Sequence, residues 1–188
     1  MADKNLSGLA WFKANQSKYP NSNKISALAS GFKTSVQAFE KALKAAGATI
    51  IVSSTKRNKS RAYIMRYAWD VANKKTAPDK VPKITGVDIN WDHGDAAKSI
   101  KAAKEMIGSS GFNIAYKPSL TSRHIEGKAI DWTIKWNKEL KIKDKKGKEV
   151  VIKSSPKSGQ NKELHAVGKT YGVVKLASDP PHWSTDGR

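Results

Sequence analysis

The spacing of apolar residues changes along this chain, and the change limits the folds open to it. In the first half, apolar residues recur every three or four positions, which is the spacing of one helix face. The clearest run consists of Leu28, Phe32, Val36, Phe39 and Leu43. In the second half, short runs rich in β-branched residues predict strands. Helices followed by strands predict a single α+β domain, in which helices back an antiparallel sheet of about four strands.

Local signals predict the individual elements. Helices are expected from Ser26 to about Gly47 and at about 60–73, 95–106 and 161–171. Strands are expected at 48–54, 112–116 and 129–136, with a hairpin at 140–152 around the turn Asp144–Gly147. Proline and glycine residues predict a long loop at 74–91. Residues 1–24 are expected to form an arm or small helix, and residues 25–188 the main domain.

Composition narrows the class of protein. The chain has 188 residues and a hydrophobic share of 38%, so it can bury a core and is not a disordered basic tail. It has no cysteine, which excludes disulfides and thiolate chemistry. Lys and Arg number 35 against 16 Asp and Glu, a formal net charge of +19. This charge favours a polyanionic partner, which charge alone leaves open among nucleic acid, anionic membrane and bacterial wall polymers.

Targeting signals are the next constraint. The N-terminus lacks an apolar stretch of signal-peptide length. The longest apolar run, near residues 48–52, is far too short to span a bilayer. We therefore expect synthesis in a cytoplasm and no membrane span, so that any route to a cell wall depends on another factor.

The segment Ser122–Asp131 concentrates metal-ligand residue types where the backbone is constrained. Gly127 permits a tight turn, after which Asp131 and Thr133 share one face of a strand. An Asp at an inward position needs a charge partner, because an unpaired buried carboxylate is costly. A cation held jointly by His124 and Asp131 would provide that partner.

A second constrained segment lies near the C-terminus. Consecutive prolines hold Asp179 and His182 at a set separation, because each proline ring restricts the backbone. With His124 and Asp131, His182 completes a three-ligand set that leaves a fourth position for water. That is the catalytic form of zinc, which lowers the pKa of the bound water to about 7. Asp179 could then act as the general base.

The spacing by itself also allows a plainer interpretation. A single histidine is more often structural than a ligand. An Asp before a proline, as at Asp179, is also an ordinary way to start a turn. His93 is expected in a capped loop before a helix, and His165 as a surface or packing residue. The lysine-rich stretch 135–157 is either a solvated hairpin or a wall-binding patch.

Resemblance to a known family favours the metal-site interpretation. Ser122, His124, Gly127, Ala129 and Asp131 match all five fixed positions of the Ser-x-His-x-x-Gly-x-Ala-x-Asp signature of the zinc D-alanyl-D-alanine carboxypeptidase and L-alanyl-D-glutamate endopeptidase family. That family includes VanX- and VanY-type enzymes and several phage endolysins, and it shares its fold with the hedgehog signalling domain.

The C-terminal segment resembles the second signature of that family. Asp179 stands three residues before His182, which is followed by Trp183. VanX-like members have Glu at the position of Asp179. The Asp found here is more similar to the phage L-alanyl-D-glutamate endopeptidases.

The resemblance, which runs from about residue 26 to the C-terminus, implies a set of roles. It implies a hedgehog/DD-peptidase-like fold for the peptidase domain, residues 25–188, and Zn²⁺ held by three ligands. The roles it implies are metal ligands His124, Asp131 and His182; general base Asp179; and substrate contacts Arg57 and Ser122. Arg57 follows a strand and would bind a substrate carboxylate or steady the tetrahedral intermediate, which suits its planar, fixed charge.

The expected activity is hydrolysis of an amide bond in the peptidoglycan stem peptide, with the L-alanyl-D-glutamate bond favoured. We expect a phage or prophage endolysin that accumulates in the host bacterial cytoplasm before release to the periplasm or cell wall, or a virion-associated enzyme of similar composition. Its expected partners are peptidoglycan and, through the basic surface, anionic wall or outer-membrane polymers, with no specific nucleic acid. The alternatives are a metal-dependent nuclease and a non-catalytic wall-binding or virion protein on the same fold.

Overall fold

The computed structural model describes residues 5–188 and has a mixed α+β structure, as predicted. The chain divides into two compact units. The first, here called the helical unit, comprises the residues up to Pro20 and Asn58–Thr121. The second, the sheet unit, comprises Asn21–Arg57 and Ser122–Arg188. The predicted boundary between residues 24 and 25 stays a prediction.

The elements are as follows within residues 5–188. The α-helices are α1 (Leu9–Asn15), α2 (Ser30–Ala45), α3 (Lys59–Ala72), α4 (Ala96–Ile107) and α5 (Lys162–Thr170). The strands are β1 (Thr49–Ser54), β2 (Ala129–Lys135), β3 (Leu140–Lys143), β4 (Glu149–Ile152), β5 (Val174–Lys175) and β6 (His182–Ser184). Short 3₁₀ helices occur at Gln16–Lys18, Ile25–Ala27 and Pro78–Lys80. None of the helices in this range is long and apolar enough to cross a membrane.

The sheet unit is built on one four-stranded antiparallel sheet with the strand order β1-β2-β6-β5. This confirms the predicted antiparallel sheet of about four strands. Strands β3 and β4 form a separate antiparallel hairpin, in which Leu140 pairs with Ile152 and Lys143 with Glu149. The hairpin matches its predicted position.

The two faces of the sheet differ in burial. Ile130, Trp132 and Ile134 of β2 are fully buried in a core that also contains the apolar faces of α2 and α5. The rings of Phe39 in α2 and Trp132 lie 5.8 Å apart, edge to face. The other face of β2 carries Asp131, which is partly buried, and Thr133 and Lys135, which are exposed. Strand alternation explains this, because the buried residues occupy every second position.

The helical unit has its own apolar core. Helices α1, α3 and α4 contribute the buried side chains, which include Trp11, Phe12, Ile64, Ala68 and Met106. A side-chain N-cap precedes each of the two longer helices, α3 and α4. Asn58 accepts hydrogen bonds from two main-chain N–H groups of α3, and Asp95 accepts one from the main-chain N–H of Lys98 in α4. The predicted starts of these helices are therefore confirmed to within a residue or two.

One predicted strand of this unit is wrong. Residues 112–116 are irregular, because the chain turns back over the end of α4. The N–H of Phe112 donates to the carbonyl of Met106, and that of Ile114 donates to Ile107. Asn113 adopts a positive φ of 52°, which no strand allows. These main-chain bonds satisfy the free carbonyls of the helix end in preference to a sheet.

Candidate metal centre

The three predicted ligand residues come together in the sheet unit. Asp131 lies in the middle of β2, and His182 is the first residue of β6, directly opposite Asp131 in the antiparallel register. His124 lies in the turn that precedes β2. One ligand atom from each residue lies within 4.8 Å of the others. Both histidines are buried, whereas 23% of the Asp131 side chain is exposed.

The turn that carries His124 depends on Gly127. This residue has a φ of 70°, and a Cβ added there would lie 2.9 Å from the main-chain nitrogen of Ala29. The carbonyl of Gly127 accepts a hydrogen bond of 2.9 Å from that same nitrogen. At the start of the turn, Ser122 Oγ accepts the N–H of Ile125 at 3.3 Å. Both the positive φ and the close approach to α2 therefore require glycine.

The three ligand atoms form a nearly equilateral triangle. His124 Nε2 lies 3.1 Å from Asp131 Oδ1 and 3.1 Å from His182 Nδ1. His182 Nδ1 lies 3.0 Å from the same Asp131 oxygen. Zinc bonds to nitrogen and oxygen of about 2.0–2.1 Å place tetrahedral ligands about 3.3 Å apart. The triangle is therefore close to the size that one zinc ion requires.

In each imidazole the outer nitrogen is hydrogen-bonded to a main-chain oxygen, which leaves the inner nitrogen facing the other ligands. His124 Nδ1 lies 2.6 Å from the carbonyl oxygen of Thr55, and His182 Nε2 lies 3.1 Å from the main-chain oxygen of Arg188. A carbonyl oxygen can only accept, so both outer nitrogens carry protons. In neutral imidazoles the inner nitrogens then present lone pairs to each other and to the Asp131 carboxylate. Three lone pairs directed at one point repel unless a cation lies between them, which is the usual arrangement of metal-bound histidines.

The pKa values of two ligands describe the protonated state of the same group, in which an inner imidazole nitrogen carries a proton and donates to Asp131. Burial raises the pKa of Asp131, but hydrogen bonds and charge from His124 and His182 together outweigh it and hold the pKa well below its usual range. Burial lowers the pKa of His182, whereas the Asp131 carboxylate and the Arg188 carbonyl raise it by more. Protons and a metal ion therefore compete for the same atoms.

Asp179 lies in the turn between β5 and β6 and is exposed. Its carbonyl accepts the N–H of His182 at 3.1 Å, so the two residues belong to one hydrogen-bonded turn. The negative charge of Asp179 also contributes to the raised pKa of His182. The residue thus adjoins the ligand set without belonging to it. Its position is compatible with a base, and that role stays a prediction.

Lys175 is a residue of this turn that the sequence analysis missed. Its side chain is buried, and Nζ donates to the carbonyls of Leu176, Asp179 (2.6 Å) and His182 (3.3 Å). Burial lowers the pKa of Lys175, while the charges of Asp179 and Asp131 oppose that change. The ammonium group therefore ties together both ends of the Asp179–His182 turn. A lysine within the apolar run at 173–176 is the signal that would have found it.

The other predicted site residues have less definite positions. The N–H of Arg57 donates to the carbonyl of His124 at 3.1 Å, which places its backbone beside the ligand turn. The half-buried Arg57 side chain forms no ion pair within residues 5–188. Ser122 has the structural role of a turn cap described above. Substrate contacts for Arg57 and Ser122 stay predictions.

The two remaining histidines lie outside this group. His165 packs its ring 5.4 Å from that of Trp183, and its Nε2 lies 3.0 Å from the Gly159 carbonyl, so the packing role is confirmed. His93 precedes α4, and its main-chain N–H donates to Ser99 Oγ at 3.1 Å. This confirms the predicted loop before a helix.

An ion-pair cluster fixes the ligand turn to the segment after β6. Arg123 Nε lies 3.1 Å from Asp186 Oδ1, and the Arg123 guanidinium also contacts Glu126. Hydrogen bonds from Arg123 and then Arg188 hold the pKa of Asp186 well below its usual range. Because Arg123 adjoins His124 in sequence and Asp186 follows His182 closely, the pair helps to keep the two ligand segments together.

Comparison with known proteins adds no relative. Models of known protein families give no match to this chain, and neither do curated protein sequences.

Proposed function

We propose that this protein is a zinc-dependent peptidase that hydrolyses an amide bond of the peptidoglycan stem peptide. The observation that carries the proposal is the triangle of inward-facing ligand atoms from His124, Asp131 and His182, each about 3 Å from the other two. Two histidines and one carboxylate leave room for water and substrate, as in catalytic zinc sites. The partly exposed Asp131 gives the centre an open side.

Each residue of the site has its own role in the proposed hydrolysis. Zinc held by His124, Asp131 and His182 would supply a Lewis acid that polarises a carbonyl and acidifies water. Asp179, exposed beside His182, takes a proton from the attacking water and gives it to the leaving amine. Arg57 binds a substrate carboxylate or the developing oxyanion through its fixed charge. Ser122 contacts the substrate through its hydroxyl. Lys175 holds the turn from Asp179 to His182 in place through its hydrogen bonds to the carbonyls of both residues.

Charge supports the choice of a wall substrate and the proposed setting. A net charge of +19 favours retention on anionic wall or outer-membrane polymers. We propose a hedgehog/DD-peptidase-like fold and an endolysin that acts on the wall after release from the host cytoplasm, or a virion-associated enzyme. The L-alanyl-D-glutamate bond is the favoured site of cleavage.

The experiment that tests the function is incubation of the zinc-loaded protein with purified peptidoglycan. Mass spectrometry of the released fragments, with and without a chelator, identifies any bond that is cut. The expected result is a new N-terminus at one stem-peptide bond, which the chelator abolishes and added zinc restores. Intact peptidoglycan under both conditions would contradict the proposal. Parallel incubation with DNA and RNA separates a nuclease from a non-catalytic wall-binding protein.

A further inference from the structure

The sheet face that carries Asp131 continues as an exposed strip away from the metal centre. On β2 the same face presents Thr133 and Lys135, and across the register Ile51 lies opposite Thr133 and Thr49 opposite Lys135. These four residues are all exposed. Among the exposed Ile, Leu and Val residues within residues 5–188, Ile51 is the most exposed, with 63% of its surface accessible. Singly exposed aliphatic residues are common on protein surfaces, so Ile51 gains weight only from its position on the sheet face that also carries Asp131.

The rise per residue of a β-strand sets the distances along the exposed strip. Residues of an antiparallel strand advance by about 3.4 Å each, so Thr133 lies about 7 Å and Lys135 about 14 Å along β2 from Asp131. The sequence of surface chemistry from the metal centre outward is therefore carboxylate, aliphatic and hydroxyl groups, then an ammonium group. Lys135 has no ion pair within the described chain, so its charge is available to an anionic group.

We infer that this strip is the substrate track: an extended acidic peptide lies along β2, with an aliphatic side chain on Ile51 and Thr133 and a carboxylate at Lys135. The inference rests on the proposed function, since it assigns a substrate path to the same metal centre. A β-bulge between Val52 and Ser54 separates the strip from the ligand set, and Ser53 Oγ donates to the carbonyl of Asp131 at 3.0 Å. The bulge thus marks the start of the track beside the metal ligand.

The chemistry of the strip selects among peptides. The stem residues on one side of the cleaved bond carry both aliphatic groups and free carboxylates. Ile51 offers an apolar contact to an aliphatic group. Lys135, with its flexible stem, reaches a carboxylate at a range of positions along the strand. A neutral or basic peptide would lose the second contact.

The test uses the zinc-loaded full-length chain and synthetic stem peptides that contain the cleaved bond. Each peptide is made in three forms: unchanged, with alanine replaced by glycine, and with the carboxylate amidated. The variant Ile51→Ser should lower kcat/KM for the unchanged peptide about fivefold, mainly through KM, because one apolar contact is lost. It should have no further effect on the glycine peptide. Val151→Ser, at an exposed aliphatic position of β4, is the matched control.

Lys135 is tested in the same way. The wild type should cleave the acidic peptide about threefold better than the amidated one, and Lys135→Gln should remove that preference, as for an exposed ion pair. Lys148→Gln, at an exposed lysine of the hairpin turn, should keep it. Zinc content and thermal melting should be unchanged in both variants.

The outcomes separate the two proposals. A wild type that cleaves no stem peptide overturns the proposed function and the track with it. An active wild type whose Ile51 and Lys135 variants keep every substrate preference overturns the track alone. Loss of preference in Ile51→Ser and Lys135→Gln, with none in the hairpin controls, supports the track.

Discussion

Two aspartates, one in each unit of the molecule, meet the cost of burying a carboxylate in different ways. Asp70 in the helical unit is almost fully buried, with Arg66 Nε at 2.6 Å and Lys117 Nζ at 3.1 Å. Asp131 in the sheet unit is flanked by two imidazoles at 3.0–3.1 Å. The partners of Asp70 are cationic side chains, whereas an imidazole can present a nitrogen lone pair to a metal ion. The first carboxylate is neutralised by its own chain, whereas the second belongs to a group that could hold a metal ion.

The type of partner separates a structural carboxylate from a candidate metal ligand. Burial and close partners occur at both positions, so neither property distinguishes them. The distinguishing property is the chemical type of the partners: arginine and lysine cannot bind a metal ion at neutral pH, but histidine can. Asp70 is therefore assigned to structure, and Asp131 to the metal centre.

The largest effect is expected from His182→Ala. Loss of an outer partner of a metal ligand alone reduces metal affinity about 10- to 100-fold, so loss of the ligand should cost more than about 100-fold in zinc affinity. Hydrolysis should disappear with the metal. Zinc titration by calorimetry and the peptidoglycan assay measure both effects, and His93→Ala is the control. A His182→Ala protein that still binds zinc tightly would mean that the ligand set is wrong.

Asp179→Ala should separate metal binding from catalysis. The residue lies outside the ligand triangle, so stoichiometric zinc should remain. Loss of a general base should reduce kcat by about 10²- to 10⁴-fold. Metal analysis and initial rates on the same preparation test this, with Ser178→Ala in the same exposed turn as control. Retained activity would remove Asp179 as the base.

Asp70→Asn should produce the opposite pattern. It leaves Arg66 and Lys117 without their counter-charge, and we expect a loss of about 2 kcal/mol in the free energy of unfolding, less than for a fully buried pair because both cations are partly exposed. Zinc stoichiometry should not change. Urea unfolding and metal analysis check the two statements. A fall in zinc content without a fall in the free energy of unfolding would contradict the assignment of Asp70 to a structural role.

The smallest effect concerns an exposed carboxylate. Arg123 and Arg188 depress the pKa of Asp186 in the folded protein. A depressed pKa stabilises the fold above the unfolded-state value of about 3.9, and that contribution is lost as the pH falls through the folded-state pKa. Asp186→Asn should therefore melt slightly below the wild type at pH 7. The two melting temperatures should converge in strong acid, with chelator present in both samples. A gap that widened in acid would contradict the ion-pair account.

Local features of the sequence are sufficient for much of the fold. The hairpin of β3 and β4 is predictable because Leu140 and Ile142 alternate with lysines before the Asp144–Gly147 turn, and the β-branched run 150–152 follows it. Helix α4 is predictable from Asp95 and the apolar spacing behind it. The wrong strand at 112–116 has an equally local pattern, but the main-chain groups there bond to the end of α4. Competition of that kind depends on tertiary structure and leaves no mark on residue spacing.

The site divides in the same manner. The three ligand residues are identifiable because their types, spacing and resemblance to a known signature agree. The contacts of Lys175 are not, since they depend on how the turn between β5 and β6 folds around its ammonium group. The partners of the two histidines, at Thr55 and Arg188, are remote in sequence or carry no distinctive side chain. Only the folded backbone brings them to the imidazoles.

The main-chain oxygens of Thr55 and Arg188 affect how well the candidate site tolerates changes in sequence. Both are main-chain oxygens, which every residue type possesses, so substitution at position 55 or 188 leaves the acceptor in place. The orientation of the imidazoles is thus tolerant of side-chain drift but sensitive to insertions and deletions that shift either segment. An engineer who transplanted only His124, Asp131 and His182 into another scaffold would leave this support behind. The transferable unit is the three side chains together with the two stretches of backbone that orient them.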